Sequence, residues 1–268
     1  MNEYSVLMSV YMKEEPENLQ KSIESMMSQT MPPSDFVLVA DGILTDGLNC
    51  VIAAFPEINV VRLEHNSGLG KALAYGLPFC KCEWVARMDS DDISRPERCE
   101  RELDFAAENM LDVVSSDVAE FDSDTGMQMS VRELPASHND IVEFAKSRNP
   151  INHPAVMFKK SAVLAAGSYV DMPGFEDYWL WLRMLKNGCR FGNVSEVLLD
   201  MRSGKDMYDR RGGAGYCSAI RRFWKAAADI GFVSRIKSIK NTLLRSAVSM
   251  LSSAARKALY ERRLRKKS

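Results

Sequence analysis

Short apolar segments alternate with amphipathic segments over the first hundred residues of this 268-residue chain. Four apolar segments have the length of buried strands, and the segments between them repeat apolar residues at helical spacing. The predicted strands are Ser5–Val10, Phe36–Ala40, Asn59–Leu63 and Trp84–Met88, and the helices between them are Glu17–Gln29, Leu48–Phe55 and Leu69–Phe79. Because strands joined through helices form right-handed βαβ units, the sequence predicts an α/β fold with a parallel, twisted sheet.

Polar or aromatic side chains stand where the predicted strands end. These residues are Tyr11, Asp41, Asn66 and Asp89. Parallel sheets bind their ligands beyond the C-terminal ends of the strands. The sequence therefore predicts a binding site at this edge of the sheet.

Three carboxylates occur within four residues in Asp89-Ser90-Asp91-Asp92, directly after the apolar segment Trp84–Met88. Carboxylates this close repel one another unless a cation neutralises them. Mn²⁺ or Mg²⁺ suits such a site, because hard cations take one or two protein carboxylates together with phosphate oxygens. The alternative is a solvated acidic loop that caps a helix starting near Pro96.

A second region, residues 111–215, mixes strands, loops and helices. Predicted elements around and within it are Pro96–Asn109 (helix), Val113–Phe121 and Ala155–Phe158 (strands), and Lys160–Ala166 and Phe175–Asn187 (helices). The last helix begins with Glu176 and Asp177. Acids in a first helical turn are also favoured by the helix dipole alone, so a structural role stays open for both.

The C-terminal region differs in charge from the rest of the chain. Residues 232–268 contain eleven Lys or Arg and one acid, Glu261, whereas the net charge of the whole chain is −1. Apolar residues recur every three to five positions from Phe232 to Leu259. A basic amphipathic helix attracted to anionic lipid is one interpretation, and a helix packed on the body of the protein with a charged end is the other. No nucleic-acid-binding motif accompanies the charge, so we expect no nucleic acid partner.

Four motifs occur in order: Ser9-Val10-Tyr11, Val39-Ala40-Asp41-Gly42, the segment from Asn66 to Leu73, and Ala86 to Ile93. Together with Gly174–Leu182, they resemble the family 2 glycosyltransferases with the GT-A fold over about residues 4–215. The resemblance implies a Rossmann-like sheet, parallel or mixed, with a nucleotide-sugar half (1–110), an acceptor half (111–215) and a helical tail (216–268).

The resemblance implies donor contacts. Tyr11 would stack near the uracil, and Asp41 would accept hydrogen bonds from the uracil or ribose, although Ala40 replaces the first of the two acids that most relatives carry. Asp89 would touch the ribose or the metal, Asp91 would be the direct metal ligand, and Asp92 would cap the following turn. Ser9 and Asn66 would also contact the nucleotide sugar.

Five further basic residues are candidate contacts on the phosphate or acceptor side. Lys71 and Arg87 would face phosphate or brace the acidic loop. His153 lies where a loop would close on the acceptor or the diphosphate, and a structural histidine is the alternative. Arg210 and Arg211, beside Gly212-Gly213, would fold over the pyrophosphate, or form a solvated loop.

Asp177 is the candidate general base, because an inverting displacement needs a carboxylate on the face opposite the departing nucleotide. Glu176 competes for this role or orients the acceptor. The resemblance then implies an inverting transfer of galactose or glucose from a UDP-hexose to an undecaprenyl-diphosphate-linked sugar, in bacterial O-antigen or capsule synthesis. The processive synthases' Gln-x-x-Arg-Trp motif is lacking, so we expect one sugar per encounter.

No signal peptide or membrane-spanning run is evident, so we expect a cytoplasmic protein, peripheral on the inner face of the bacterial cytoplasmic membrane. A sugar nucleotidyltransferase is one alternative, but it requires a Gly-rich triphosphate loop where this chain has Tyr11–Glu15, without glycine. A non-catalytic protein that binds UDP-sugar is the other.

Overall fold

The computed structural model describes residues 3–203, 213–251 and 266–267, and shows one mixed sheet flanked by helices. The first half contains β1 (Tyr4–Val10), α1 (Pro16–Met27), β2 (Asp35–Asp41), α2 (Asp46–Ala53), β3 (Asn59–Leu63), α3 (Leu69–Gly76), a 3₁₀ turn (Leu77–Phe79) and β4 (Trp84–Asp89). Strands β1 to β4 are parallel, in the order β3-β2-β1-β4. The predicted α/β fold is confirmed.

The second half makes the sheet mixed. It contains β5 (Ile93–Ser94), α4 (Arg98–Glu108), β6 (Val113–Asp122), β7 (Gln128–Arg132), α5 (His138–Phe144), a 3₁₀ turn (His153–Ala155), β8 (Met157–Lys159), α6 (Lys160–Ala165), α7 (Glu176–Lys186) and β9 (Phe191–Ser203). Strand β8 pairs antiparallel with β4 and β6, and so continues the parallel half into this region. Strand β9 runs parallel to β6 over its whole length.

Side chains of β1 alternate between the two faces of the sheet, as the period of a strand requires. Val6 and Met8 pack with α1, α2 and α4, whereas Leu7 packs on the other face with α3, α6 and α7. Both faces are covered, which explains why the parallel strands are almost wholly apolar. The polar strand ends are left as the open edge.

The C-terminal helices are α8 (Gly213–Asp229) and α9 (Arg235–Ser249), followed by a two-residue strand, β10 (Lys266–Lys267), that pairs with β7. Helix α8 crosses the predicted boundary at residue 215 and buries Phe223 and Trp224 against Phe175 and Tyr178. The predicted helical region is packed on the body as far as Ser249, which is buried beside Cys217. Among the helices that the structure describes, none has both the length and the apolarity needed to cross a bilayer.

Candidate active site

The parallel register brings the predicted donor residues to one edge. Ser9 pairs with Asp89 between β1 and β4, while Val10 pairs with Ala40 between β1 and β2. Asp41 and Asp89 therefore end the two strands on either side of β1, and Tyr11 follows β1 itself. Tyr11 is exposed and Ser9 is half-buried. The structure brings Tyr11, Asp41 and Asp89 together, as their positions at the ends of predicted strands indicated, and Ser9 of β1 lies with them.

Arg87 and Asp89 form the most tightly constrained pair of the site. Nη1 of Arg87 donates to Oδ2 of Asp89 at 2.6 Å, and Nη2 donates to Oδ1. Arg87 is 1% exposed and Asp89 is half-buried. A two-pronged guanidinium–carboxylate pair fixes both planes as well as the charge. Of the two roles predicted for Arg87, the geometry favours the bracing of the acidic loop.

Asp91 lies beside two further acids. Burial, and then repulsion from Asp89 and Glu14, raises the pKa of Asp91 to about 7. Glu14 is held there by the hydroxyl of Ser90, which donates to its Oε2 at 2.8 Å. A carboxylate that resists ionisation for this reason is one that a cation would stabilise. Sequence reasoning missed Glu14, although its position just after β1 was a signal.

Asp92 anchors the acidic loop to β9. Its Oδ1 accepts from the backbone amide of Arg202 at 2.7 Å, and Nε of Arg202 donates to the carbonyl of Asp91 at 2.9 Å. Asp92 is buried, and burial followed by repulsion from Asp89 and Asp91 raises its pKa well above the ordinary range. We expected Asp92 to cap the following turn, but its carboxylate instead bonds to Arg202. Because Arg202 lies 110 residues away in the chain, no local sequence motif could indicate this partner.

The acidic residues at the strand ends offer a divalent cation few free carboxylate oxygens. Both oxygens of Asp89 are engaged by Arg87, whereas burial and then repulsion from Asp89 and Glu14 raise the pKa of Asp91, so Asp91 is the carboxylate that a cation would stabilise. Within the described residues, no group of three or more His, Cys, Asp or Glu could hold a metal ion alone. A hard cation with one protein carboxylate and substrate phosphate oxygens fits this arrangement.

Asp41 organises the loop before α3. Its Oδ1 accepts from the amide of Ser67 at 2.6 Å, and its Oδ2 accepts from the amide of Gly68 at 2.9 Å. Gly42 has φ +88° and lies so close to this loop that an added Cβ would stand 2.7 Å from the amide nitrogen of Asn66. A carboxylate oxygen can accept more than one hydrogen bond, so the predicted nucleoside contact is compatible with this role. Asn66 and Lys71 are both exposed beside the loop.

Asp177 and Glu176 open helix α7 on the opposite side of the site. Nδ2 of Asn149 donates to Oδ2 of Asp177 at 2.6 Å. Burial raises the pKa of Asp177, and burial together with repulsion from Asp177 raises that of Glu176. A raised pKa makes a half-buried carboxylate a better proton acceptor at neutral pH. The sequence does not reveal Asn149 as a site residue, because nothing around it indicates this partner.

Arg87 joins the two halves electrostatically. While it pairs with Asp89, its positive charge also lowers the pKa of both Glu176 and Asp177 against the larger effect of burial. Tyr169 lies among the same groups, since Arg87, Asp177, Glu176 and Asp89 all act on its hydroxyl. The charge of one buried guanidinium therefore acts on the acids predicted for both the donor and the acceptor sides.

His153 lies beneath this cluster. Its Nε2 is 3.0 Å from the hydroxyl of Tyr169, and its ring packs edge-on against Trp181. Burial, with the nearby charge of Arg87, lowers its pKa well below the ordinary value. A buried, neutral imidazole in this position supports the structural alternative. Arg210 and Arg211 lie outside the described residues.

The family model "Glycosyl transferase family 2" matches residues 5–163. A protein of Escherichia coli, UDP-Gal:alpha-D-GlcNAc-diphosphoundecaprenol beta-1,3-galactosyltransferase, is 37% identical over 271 residues, which cover 98% of this chain and 97% of that protein. Amylovoran biosynthesis glycosyltransferase AmsE of Erwinia amylovora is 37% identical over 97% of this chain and 98% of its own length.

Solved structures of the S. aureus protein TarS have the same fold. TarS 1-349 superposes with a TM-score of 0.67 at 18% identity, over 91% of this chain and 71% of that chain. TarS 1-349 in complex with UDP-GlcNAc superposes with a TM-score of 0.68 at 16% identity, over 97% and 76%. These likenesses confirm the predicted GT-A fold.

Proposed function

Because the chain belongs to glycosyltransferase family 2, we propose that it transfers galactose or glucose from a UDP-hexose to a lipid-diphosphate-linked sugar, with inversion, in bacterial surface polysaccharide synthesis. The observation that carries this proposal is that the buried Arg87, which pairs with Asp89, also acts through its charge on Glu176 and Asp177, while Gly70 of α3 lies against Glu176. One-step transfer requires a donor-side site and a base-bearing side that face one shared space.

The donor side would hold the nucleotide sugar at the strand ends. Tyr11 is exposed, and its ring would stack on the uracil. Asn66 belongs to the loop that Asp41 orders and would contact the nucleotide sugar from there. Asp91 would hold Mn²⁺ or Mg²⁺, with Asp89 as the second candidate ligand. When bound, the cation supplies positive charge that offsets the charge developing on the diphosphate leaving group.

Asp177 would accept the proton of the acceptor hydroxyl as the new glycosidic bond forms and the bond to UDP breaks. Asn149 donates to one oxygen of this carboxylate and so fixes its orientation. Glu176, one position earlier in the first turn of α7, would orient the acceptor. The name of the E. coli relative, which includes an undecaprenol-diphosphate acceptor, supports a lipid-linked acceptor and a place at the inner face of the cytoplasmic membrane.

The test is UDP release from a panel of UDP-sugars, with Mn²⁺ or with EDTA, in the presence of a short lipid-diphosphate-sugar. We expect release from UDP-galactose or UDP-glucose that EDTA and Asp91→Ala both abolish. Turnover that survives EDTA would overturn the role of the acidic cluster. Consumption of UTP and a sugar phosphate would favour a nucleotidyltransferase, and binding without turnover would favour a non-catalytic protein.

A further inference from the structure

Helix α9 packs on the protein through its polar side. Its buried residues are Ser238, Asn241 and Ser249. Oγ of Ser238 donates to the carbonyl of Trp224 at 2.8 Å, and Nδ2 of Asn241 donates to the carbonyl of Lys146 at 2.9 Å. A helix on a globular surface ordinarily turns its apolar stripe inward. Here hydrogen bonds to backbone carbonyls hold the polar side inward instead.

The apolar side of α9 consequently faces outward. Ile236 is 81% exposed, Ile239 60%, Leu243 67% and Leu244 63%, and Met250 just beyond the helix is 69% exposed. Ile236, Ile239, Leu243 and Met250 follow one another at spacings of three, four and seven residues, which places them on one face, and Leu244 lies at the edge of that face. Single exposed apolar residues are common, but a continuous exposed stripe marks an interaction surface.

Positive charge borders this stripe. Arg235 and Lys240 are exposed and Lys237 is half-buried, and no Asp or Glu occurs from residue 232 to residue 251. The sequence from 252 to 268 adds seven Lys or Arg against Glu261. A second copy of this face would meet like charge, whereas anionic lipid headgroups supply the opposite charge beside an apolar layer. The chemistry of the face therefore fits a bilayer surface better than self-association.

We propose that the outward side of α9, formed by Ile236, Ile239, Leu243 and Leu244, docks the protein on an anionic bilayer leaflet. The helix would lie in the plane of the interface, with its leucines and isoleucines at the level of the acyl chains and the lysine stems along its edge. The inference rests on the proposed function only in placing a lipid-linked acceptor in the same membrane.

The docking helix is also bonded to the acceptor side of the candidate site. Asn241 holds the carbonyl of Lys146, and Nη2 of Arg245 donates to the carbonyl of Ser147 at 2.6 Å. Asn149, two positions later, donates to Asp177. Docking through α9 would thus set the predicted base in a fixed relation to the bilayer that presents the acceptor.

The test is cosedimentation of the full chain with vesicles of phosphatidylcholine alone or mixed with phosphatidylglycerol. Burial of one Leu or Ile contributes enough to change partitioning by about tenfold or more. We expect binding to the mixed vesicles, lost by at least roughly tenfold in Ile239→Gln/Leu243→Gln. Leu164→Gln removes an exposed leucine of α6 and serves as the matched control, with binding unchanged.

Three outcomes separate the possibilities. Equal binding by the double variant and the wild type would overturn the proposal, as would a dimer in sedimentation equilibrium that the double variant dissociates without any vesicle binding. UDP release with a water-soluble acceptor should survive in the double variant, which shows that it is folded. If no variant releases UDP but vesicle binding depends on α9, the docking surface stands and the proposed function fails.

Discussion

The guanidinium of Arg87, buried under the sheet edge, holds both carboxylate oxygens of Asp89. Arg87→Gln leaves the carboxylate without its counter-charge inside the site. Removal of one partner from a buried pair costs about 3–5 kcal/mol, and the partial exposure of Asp89 places the expected loss near the lower end. Denaturant unfolding measures it. Arg87→Lys keeps the positive charge but cannot donate to both carboxylate oxygens at once. We expect it to lose less of the free energy of unfolding than Arg87→Gln, while UDP-hexose turnover still falls.

Asp41→Asn tests the loop before α3. The side-chain oxygen of asparagine can accept from the backbone N–H of either Ser67 or Gly68. The side-chain NH₂ group would then face the other N–H, and two donors cannot bond to each other. We expect a loss of about 1–3 kcal/mol in the free energy of unfolding and a raised KM for the UDP-sugar. Asp46→Asn, in the first turn of α2, is the control. An unchanged KM in Asp41→Asn would contradict the link between loop order and donor binding.

Gly70→Ala tests the contact between the two halves. An added Cβ would lie 3.1 Å from Cβ of Glu176, so Glu176 must shift by a few tenths of an ångström. We expect kcat/KM for the acceptor to fall by roughly three- to tenfold, because small misplacements at a reacting centre are costly. Gly215→Ala in α8 meets no atom within 4 Å and should leave kcat/KM unchanged. Equal effects of the two substitutions would rule out the contact as the cause.

Asp91 predicts a pH dependence of stability in the metal-free protein. Its pKa is about 7 when folded and near the ordinary value of 3.8 when unfolded. The folded state therefore stays protonated to a higher pH than the unfolded state. The free energy of unfolding falls as pH rises from the unfolded to the folded pKa, by up to about 4 kcal/mol. Asp91→Asn should flatten that fall. Added Mn²⁺ should raise the melting temperature of the wild type only, and an equal rise in the variant would contradict the assignment.

The parallel half of the fold was predictable because its signals are local. Strands buried on both faces read as short apolar runs, and their polar ends mark the open edge. Strand β9 was not predicted, and neither were β5, β7 and α5. The pairing of β9 with β6 shifts register around Asp117, so buried positions do not alternate along the sequence. An irregular register removes the period on which strand prediction depends.

The site was predictable only where partners follow from position in the chain. Tyr11, Asp41 and Asp89 lie together because they end or follow neighbouring parallel strands. Asp92 bonds to Arg202 and Asp177 to Asn149, and neither partner follows from the order of the strands. The tail shows the same limit. Periodicity indicated an amphipathic helix, yet its polar side packs inward because it finds the carbonyls of Lys146 and Ser147, 95 and 98 residues away.

The most direct measurement is the anomeric configuration of the product formed from the UDP-hexose that the enzyme accepts, with wild type and Asp177→Asn compared at equal metal concentration. We expect inversion at the anomeric carbon, a fall in kcat of about 10²–10⁴-fold in the variant, and a wild-type rate that declines as pH drops through the raised pKa of Asp177. Retention of configuration, or a variant as fast as the wild type, would contradict Asp177 as the base of a single displacement.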